Sequence, residues 1–268
     1  MSDVTEAPLR ITREGAVVRA TLNRPERRNA MSQAMVDALD HMIAGLANDT
    51  SARVLVITGA GGHFCSGLDL TEVGTQTLTA EERLSRQLAR NRGAAARFAA
   101  IAALPQVVVA QIEGSAFAGG LGFVCAADIA FASADARFCA PEVRRGLVPA
   151  QILPWLAQRM GRSAATRLAL QGQVVGAAEA ARIGLVHEVF ADAIALSDGV
   201  AALAHDILQG GPLALAETKG LIAALGSVVP PGYAEAGAGA FARCASGGEA
   251  AEGIAAFKAK RRPAWAAG

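Results

Sequence analysis

The chain has 268 residues, 52% hydrophobic and 18% charged, with a formal net charge of +1. Such a composition excludes an intrinsically disordered chain and supplies enough apolar surface for one large domain. The near-neutral balance gives no electrostatic ground for nucleic acid or an anionic membrane as a partner.

LRITREGAVVRATLNRP reads as a hairpin, two β-rich runs around the turn signal Glu14-Gly15. SQAMVDALDHMIAGLA follows with apolar residues at helical period, Met35, Leu39, Met42, Ile43 and Leu46, and Ser32 as N-cap. ARVLVITG is a short buried strand, and GAGGHFCSGLDL a loop that closes on a second turn. Residues 74–92 are polar, a loop and then an exposed helix start; GAAARFAAIAALP continues that helix until Pro105 stops it. VVVAQIEG is the next strand. GSAFAGGLGFVCAAD comes after it, rich in glycine yet with helical spacing at Phe117, Leu121, Val124 and Cys125. DIAFA and ARFCAPE are two more short strands. Pro149 fits the first turn of the helix PAQILPWLAQRMG, with Gly161 as its stop. RSAATRLALQG and GAAEAARIG are further helices, and LVHEVF a last strand. From about residue 192 every pattern is helical, broken at GGP (210–212) and VVPPG (228–232).

The expected fold is α/β: repeated β-β-α units over residues 1–195, then a helical region over 196–268. The tail GAFARCASGGEAAEGIAAFKAKRRPAW is too apolar on one side to be solvated all round, so it packs on its own core or on a neighbouring subunit. Cys65, Cys125, Cys139 and Cys244 form no CxxC pair and have no zinc-type spacing with histidine. They read as small buried residues in a reducing compartment. MSDVTEAPLR has no signal-peptide pattern, and no apolar run reaches the roughly 18 residues of a membrane helix. A cytoplasmic protein is expected.

The glycines at 119 and 120 raise a chemical possibility. Glycine weakens a helix interior by about 1 kcal/mol against alanine. A strand that enters a helix through glycine, however, leaves the first-turn N–H groups without partners at the positive end of the helix dipole. That is a place for an oxygen that becomes anionic during a reaction. HFCSGLDL, at the end of another strand, is a second such place, and the two could converge on one oxygen. Plain turns are the alternative for each stretch taken singly. A Rossmann fingerprint fails because Cys125 holds the third glycine position, and GAGGHFCSG lacks the GK[ST] of a P-loop.

Taken in order, LNRPERRNAM, HFCSGLDL, GSAFAGGLGFVCAAD, ARFCAPEVRRGLVPA, ARIGLVHEV, PLALAETKGLI and EGIAAFKAKRRPAW resemble the crotonase, or enoyl-CoA hydratase/isomerase, superfamily over nearly the whole chain. The resemblance implies a spiral of β-β-α turns with a helical C-terminal region that builds homotrimers or dimers of trimers. It implies an acyl-CoA thioester as substrate and no separate cofactor or metal. Two backbone N–H groups, carried over to Leu68 and Gly119, would hold the thioester oxygen. It further places the substrate at Glu26, Arg28 and Ala30, at Ser66, Gly67, Asp69 and Leu70, at Gly120, and at Phe257 and Lys260 of the tail. A lysine common after the family's proline is Glu26 here, which passes a phosphate contact to Arg27 or Arg28. For Lys260, beside Lys258, Arg261 and Arg262, a solvated basic end is the alternative.

Hydratases of the family typically use two glutamates. The first position is Gly122 here, which can do no acid–base work; the second is Glu142, present in ARFCAPE. Its apolar neighbours should move its pKa upward. The alternative is a glutamate paired with Arg144 or Arg145. Asp69, Glu72 and Glu113 are candidates for a substitute acid, with capping or loop roles as the stronger account of Asp69 and Glu113. The run EVRRGLVPAQILPW is similar to hydratases of branched substrates, methylglutaconyl- or isohexenylglutaconyl-CoA, whose extra carboxylate Arg144 or Arg145 could meet. The expected activity is single-glutamate hydration of a 2-enoyl-CoA. Δ3,Δ2-enoyl-CoA isomerisation and acyl-CoA binding without turnover are the alternatives.

Overall fold

The computed structural model describes residues 7–69, 71, 79–225 and 247–266, together with 239, 241 and 243. The expected hairpin forms. β1 (Leu9–Glu14) and β2 (Val17–Leu22) pair antiparallel from Leu9↔Leu22 to Glu14↔Val17, across Gly15 at φ 56°. α1 (Gln33–Leu46) starts where Ser32 accepts a hydrogen bond from the Met35 N–H, and it buries the five apolar residues its period picks out. β3 (Val54–Gly59) follows. α2 (Ala80–Ala102) opens on a capping box between Thr79 and Glu82 and ends just before Pro105.

The chain then repeats one device. β4 (Val107–Ile112) leads to the short β5 (Ser115–Phe117) and α3 (Gly119–Ala126). β6 (Ile129–Ser133) leads to β7 (Arg137–Cys139) and, past a 3-10 helix at Glu142–Arg145, to α4 (Leu153–Gln171). β3 leads likewise to a bridge at Cys65, paired parallel with Ala116, and on to α2. These are three β-β-α turns. β8 (Val175–Gly176), α5 (Ala177–Arg182), β9 (Glu188–Phe190), α6 (Ala193–Ile207), α7 (Pro212–Ala224) and α8 (Gly248–Lys258) complete the described elements.

The first strands of the turns join a six-stranded sheet, β1-β2-β3-β4-β6-β9, parallel from β2 onward. The second strands form the small sheet β5-β7-β8. β3 and β4 are buried almost throughout, as expected of parallel strands covered on both faces. Alternation divides them: Leu55, Ile57, Val108 and Ala110 enter the main core with α1, whereas Val54, Val56 and Val109 face Leu196, Val200 and Ala204 of α6. The sequence boundary at residue 195 therefore falls inside a helix that covers the sheet.

Polar ties hold the C-terminal helices to this sheet. Half-buried Lys219 of α7 pairs with Asp128 at 2.7 Å and donates to the Gln106 carbonyl. Arg53 donates to the carbonyls of Gly210 and Trp265. Among the described residues no helix is long and apolar enough to cross a membrane.

Two local expectations are corrected. Pro149 does not open α4; Pro154 takes the first turn, and the Pro149 carbonyl accepts the Ile152 and Leu153 N–H groups in the turn before it. Gly161, non-helical at φ 77°, ψ 157°, divides α4 into two helical segments, so the first ends at the expected glycine and RSAATRLALQG forms the second. Phe117 belongs to β5, not to the helix its spacing suggested. The VVPPG break and Cys244 lie outside the described residues.

Candidate active site

The small sheet puts three turns of chain side by side. Cys65 bridges Ala116, and Phe117 pairs with Cys139. The Phe117 N–H donates to the Cys65 carbonyl at 2.9 Å, and the Ala118 N–H to the Cys139 carbonyl at 2.9 Å. Three residues beyond Cys65, Ala116 and Cys139 stand Leu68, Gly119 and Glu142. Parallel segments, the third offset by one residue, thus deliver all three to the same end of the sheet. They line one cavity of about 810 Å³.

The first two bends touch. Gly67 has φ 94°, and a Cβ built on it would lie 2.8 Å from the Ala118 Cβ and 3.4 Å from the Gly119 nitrogen. Ala118 is held at φ 49°, ψ −120°, a conformation that costs a non-glycine residue about 1–3 kcal/mol. A Cβ on Gly119 would come 2.6 Å from the Met31 Cε and require that side chain to shift, and one on Gly120 would overlap the Cys65 carbonyl oxygen. Among the described residues neither the Leu68 nor the Gly119 N–H has an acceptor. Two unbonded donors at adjacent bends, one of them at a helix N-terminus, can together polarise a carbonyl oxygen. At the other end of α3, Arg159 donates to the Val124, Cys125, Ala127 and Asp128 carbonyls, fixing the helix behind Gly119.

Glu142 sits half-buried at the start of its 3-10 helix. Its Oε2 is buried and has no hydrogen-bond partner among the described residues. Burial raises its pKa, against a weaker downward pull from its own backbone N–H and from Arg145. Among the described residues the pairing alternative does not materialise: Arg144 donates to the Gln171 carbonyl, and Arg145 lines the cavity without an ion pair.

The place of the missing glutamate is filled. A Cβ on Gly122 would overlap the ring of Phe98 from α2, and Phe98 packs edge-on against Phe123 at 5.3 Å. No side chain at position 122 could reach the cavity without displacing that ring.

Asp69 is not a spare acid. One carboxylate oxygen accepts from Arg24 at 2.9 Å, the other from the Thr71 N–H and hydroxyl. These bonds hold its pKa below the usual carboxylate range, the Thr71 hydroxyl most of all. Arg24 also donates to the Ala30 carbonyl, and buried Asn29, at φ 55°, bonds the Arg24 N–H and the Ala60 and His63 carbonyls. Sequence reasoning missed Arg24 and Asn29, although LNRPERRNAM contains both. They lace the 24–31 loop to the Ser66–Asp69 bend, helped by Met31 N–H to the Gly67 carbonyl and Ser66 N–H to the Arg28 carbonyl.

Of the other expected substrate contacts, Arg28, Ala30 and Ser66 line the cavity, as do Arg27 and part of Asp69. Gly67, Gly120, Glu26, Glu113, Phe257 and Lys260 are not among its lining residues; Phe257 is 85% exposed on α8. Leu70 and Glu72 lie outside the described residues. Burial pushes the Cys65 and Cys125 thiols up to about 12, which makes both inert at neutral pH. Among the described residues no cluster of three or more His, Cys, Asp or Glu is placed to hold a metal.

Residues 12–268 match the family model described as enoyl-CoA hydratase/isomerase. The structure of Pseudomonas aeruginosa AtuE is similar at a TM-score of 0.91 and 40% identity, over 97% of this chain and 99% of that one. The 2,3-dehydroadipyl-CoA hydratase of Escherichia coli K12 is 31% identical over 255 residues, 94% of this chain and 96% of its own. The peroxisomal Δ(3,5)-Δ(2,4)-dienoyl-CoA isomerase of Arabidopsis thaliana is 32% identical over 221 residues, 80% of each.

Proposed function

The chain belongs to the enoyl-CoA hydratase/isomerase family, and on that premise we propose that it adds water to a 2-enoyl-CoA thioester with Glu142 as its one acid–base group. The observation that carries this reading is the buried, unpartnered Oε2 of Glu142 in the cavity that also holds the two unbonded N–H groups. Glu142, ionised, takes a proton from water while the water oxygen bonds to Cβ. The double-bond electrons move through Cα onto the thioester oxygen, where the Leu68 and Gly119 N–H groups stabilise the negative charge. Each such donor contributes about 3–4 kcal/mol to the barrier reduction. Protonated Glu142 then gives its proton to Cα on the same face, the carbonyl re-forms, and the carboxylate is restored.

Arg27 and Arg28, on the loop bonded to the Ser66–Leu68 bend, take the coenzyme A phosphates, with Ala30 and Ser66 beside them. Coenzyme A is part of the substrate, and the mechanism calls for no other cofactor. A homotrimer or dimer of trimers working in the cytoplasm completes the reading. It is supported by apolar side chains left exposed on the C-terminal helices, among them Ile222, Ile254 and Phe257.

Double-bond isomerisation is the second reading, and Phe98 favours it. An aromatic ring where a second carboxylate would hold water leaves a drier site, and one glutamate suffices to move a proton from C2 to C4. The test is a 2-enoyl-CoA in ¹⁸O-water and a 3-enoyl-CoA in deuterated buffer. Hydration predicts ¹⁸O in a 3-hydroxyacyl-CoA and loss of the conjugated-thioester absorbance. A deuterated 2-enoyl-CoA with no hydroxyacyl product overturns it in favour of isomerisation. Tight binding of both esters without turnover identifies an acyl-CoA-binding protein.

A further inference from the structure

Among the described residues the charges around the cavity do not balance. Asp69 is neutralised by Arg24, and Asp40 by a two-pronged pair with Arg97 at 2.6 and 2.7 Å. Glu142 is then the one lining carboxylate without a partner among the described residues. Against it stand four lining guanidiniums, Arg27, Arg28, Arg90 and Arg145, that form no ion pair among the described residues. Two of them have a task at the coenzyme A end. Arg90 and Arg145 do not.

Both guanidiniums line the cavity that holds Glu142. The thioester oxygen is held at Leu68 and Gly119, and Glu142 works at Cα and Cβ, so the acyl chain continues beyond Glu142. Arg145 lies one 3-10 turn after Glu142, close enough for its charge to act on that carboxyl. Half-buried Arg90 stands on α2 with Gln87 and Asn91, two turns before Arg97 and Phe98 and on the same wall. An alkyl tail would leave both guanidiniums facing apolar groups, whereas a carboxylate would accept two charge-assisted hydrogen bonds from either. It would also need such a counter-charge to approach ionised Glu142.

We propose that Arg90 and Arg145 recognise a second carboxylate on the acyl group, so that the substrate is the coenzyme A monothioester of an unsaturated dicarboxylic acid. The proposal rests on the acyl-CoA reading above but not on whether the reaction is hydration or isomerisation. Two thioesters test it, trans-2-hexenoyl-CoA and trans-2-hexenedioyl-CoA, which share a six-carbon chain and differ at its far end. The expected kcat/KM ratio favours the dicarboxylate by about tenfold or more, and Arg90→Met and Arg145→Met each pull that ratio toward one. Both substrates are run on one preparation, so partial misfolding cancels in the ratio. A ratio at or below one in the unaltered protein overturns the proposal. So does an equal loss for both substrates in the variants, which would give the arginines to coenzyme A. If neither thioester turns over, the catalytic reading falls, and the ratio of the two dissociation constants tests the carboxylate site in its place.

Discussion

Glu142→Gln lowers kcat for a 2-enoyl-CoA by about three orders of magnitude or more, because in the proposed reaction one group supplies both the base and the acid step. Thioester affinity stays near that of the unaltered chain, since the variant keeps the shape of the cavity and both N–H donors. The same substitution raises stability at neutral pH. Burial raises the folded-state pKa of Glu142, with Arg145 and the backbone N–H opposing it more weakly. Folding therefore favours the protonated carboxyl. Its full stability is present below the unfolded value of about 4.3 and is lost as pH rises through the higher folded value. The variant escapes that loss, so its melting temperature exceeds that of the unaltered chain at neutral pH and the gap closes in acid. In the unaltered enzyme kcat/KM climbs with pH along a limb lying above the ordinary glutamate range. Equal melting temperatures across pH, or retained turnover, would remove Glu142 from this role.

Gly67→Ala is the second large effect. The added Cβ meets the Ala118 Cβ at 2.8 Å and the Phe117 carbonyl oxygen at 3.1 Å, at a φ of 94° that alanine resists. Relief requires the two bends to part, which separates the Leu68 and Gly119 donors. Loss of one donor costs about 10²–10³-fold in kcat. Gly62→Ala is the control: φ is 74°, but nothing lies within 4 Å of the new Cβ. It pays backbone strain alone, so its melting point falls while kcat holds. Equal kcat losses in the two variants would mean that backbone strain, not the meeting of the bends, explains the first.

The elements legible in the sequence were those whose period is long enough to register. α1 spans 14 residues, carries a Ser32 cap, and buries the apolar residues its spacing selects. β5 and β8 have three and two residues, too short for any alternation, and cross-chain pairing alone holds them. The small sheet that assembles the site was therefore the least readable part, although each residue it delivers stood in a recognisable stretch. Pro149 and Pro154 both suit a helix start, and local preference could not choose between them. The absence of a glutamate at Gly122 was plain from the sequence; that Phe98, 24 residues earlier, occupies the space was not, because the contact exists only once α2 packs on α3. A capping or loop role for Asp69 is readable locally, and Thr71 fits it; the bond from Arg24, 45 residues away, is not.

The most direct test is the vibrational spectrum of a thioester carbonyl, ¹³C-labelled in trans-2-hexenoyl-CoA and bound to the non-reacting Glu142→Gln chain. Two N–H donors aimed at one oxygen weaken the C=O bond, so its stretch falls below the value in water, and adding Gly67→Ala reverses most of the fall. A bound carbonyl that vibrates as it does in free solution would mean that Leu68 and Gly119 do not meet at that atom.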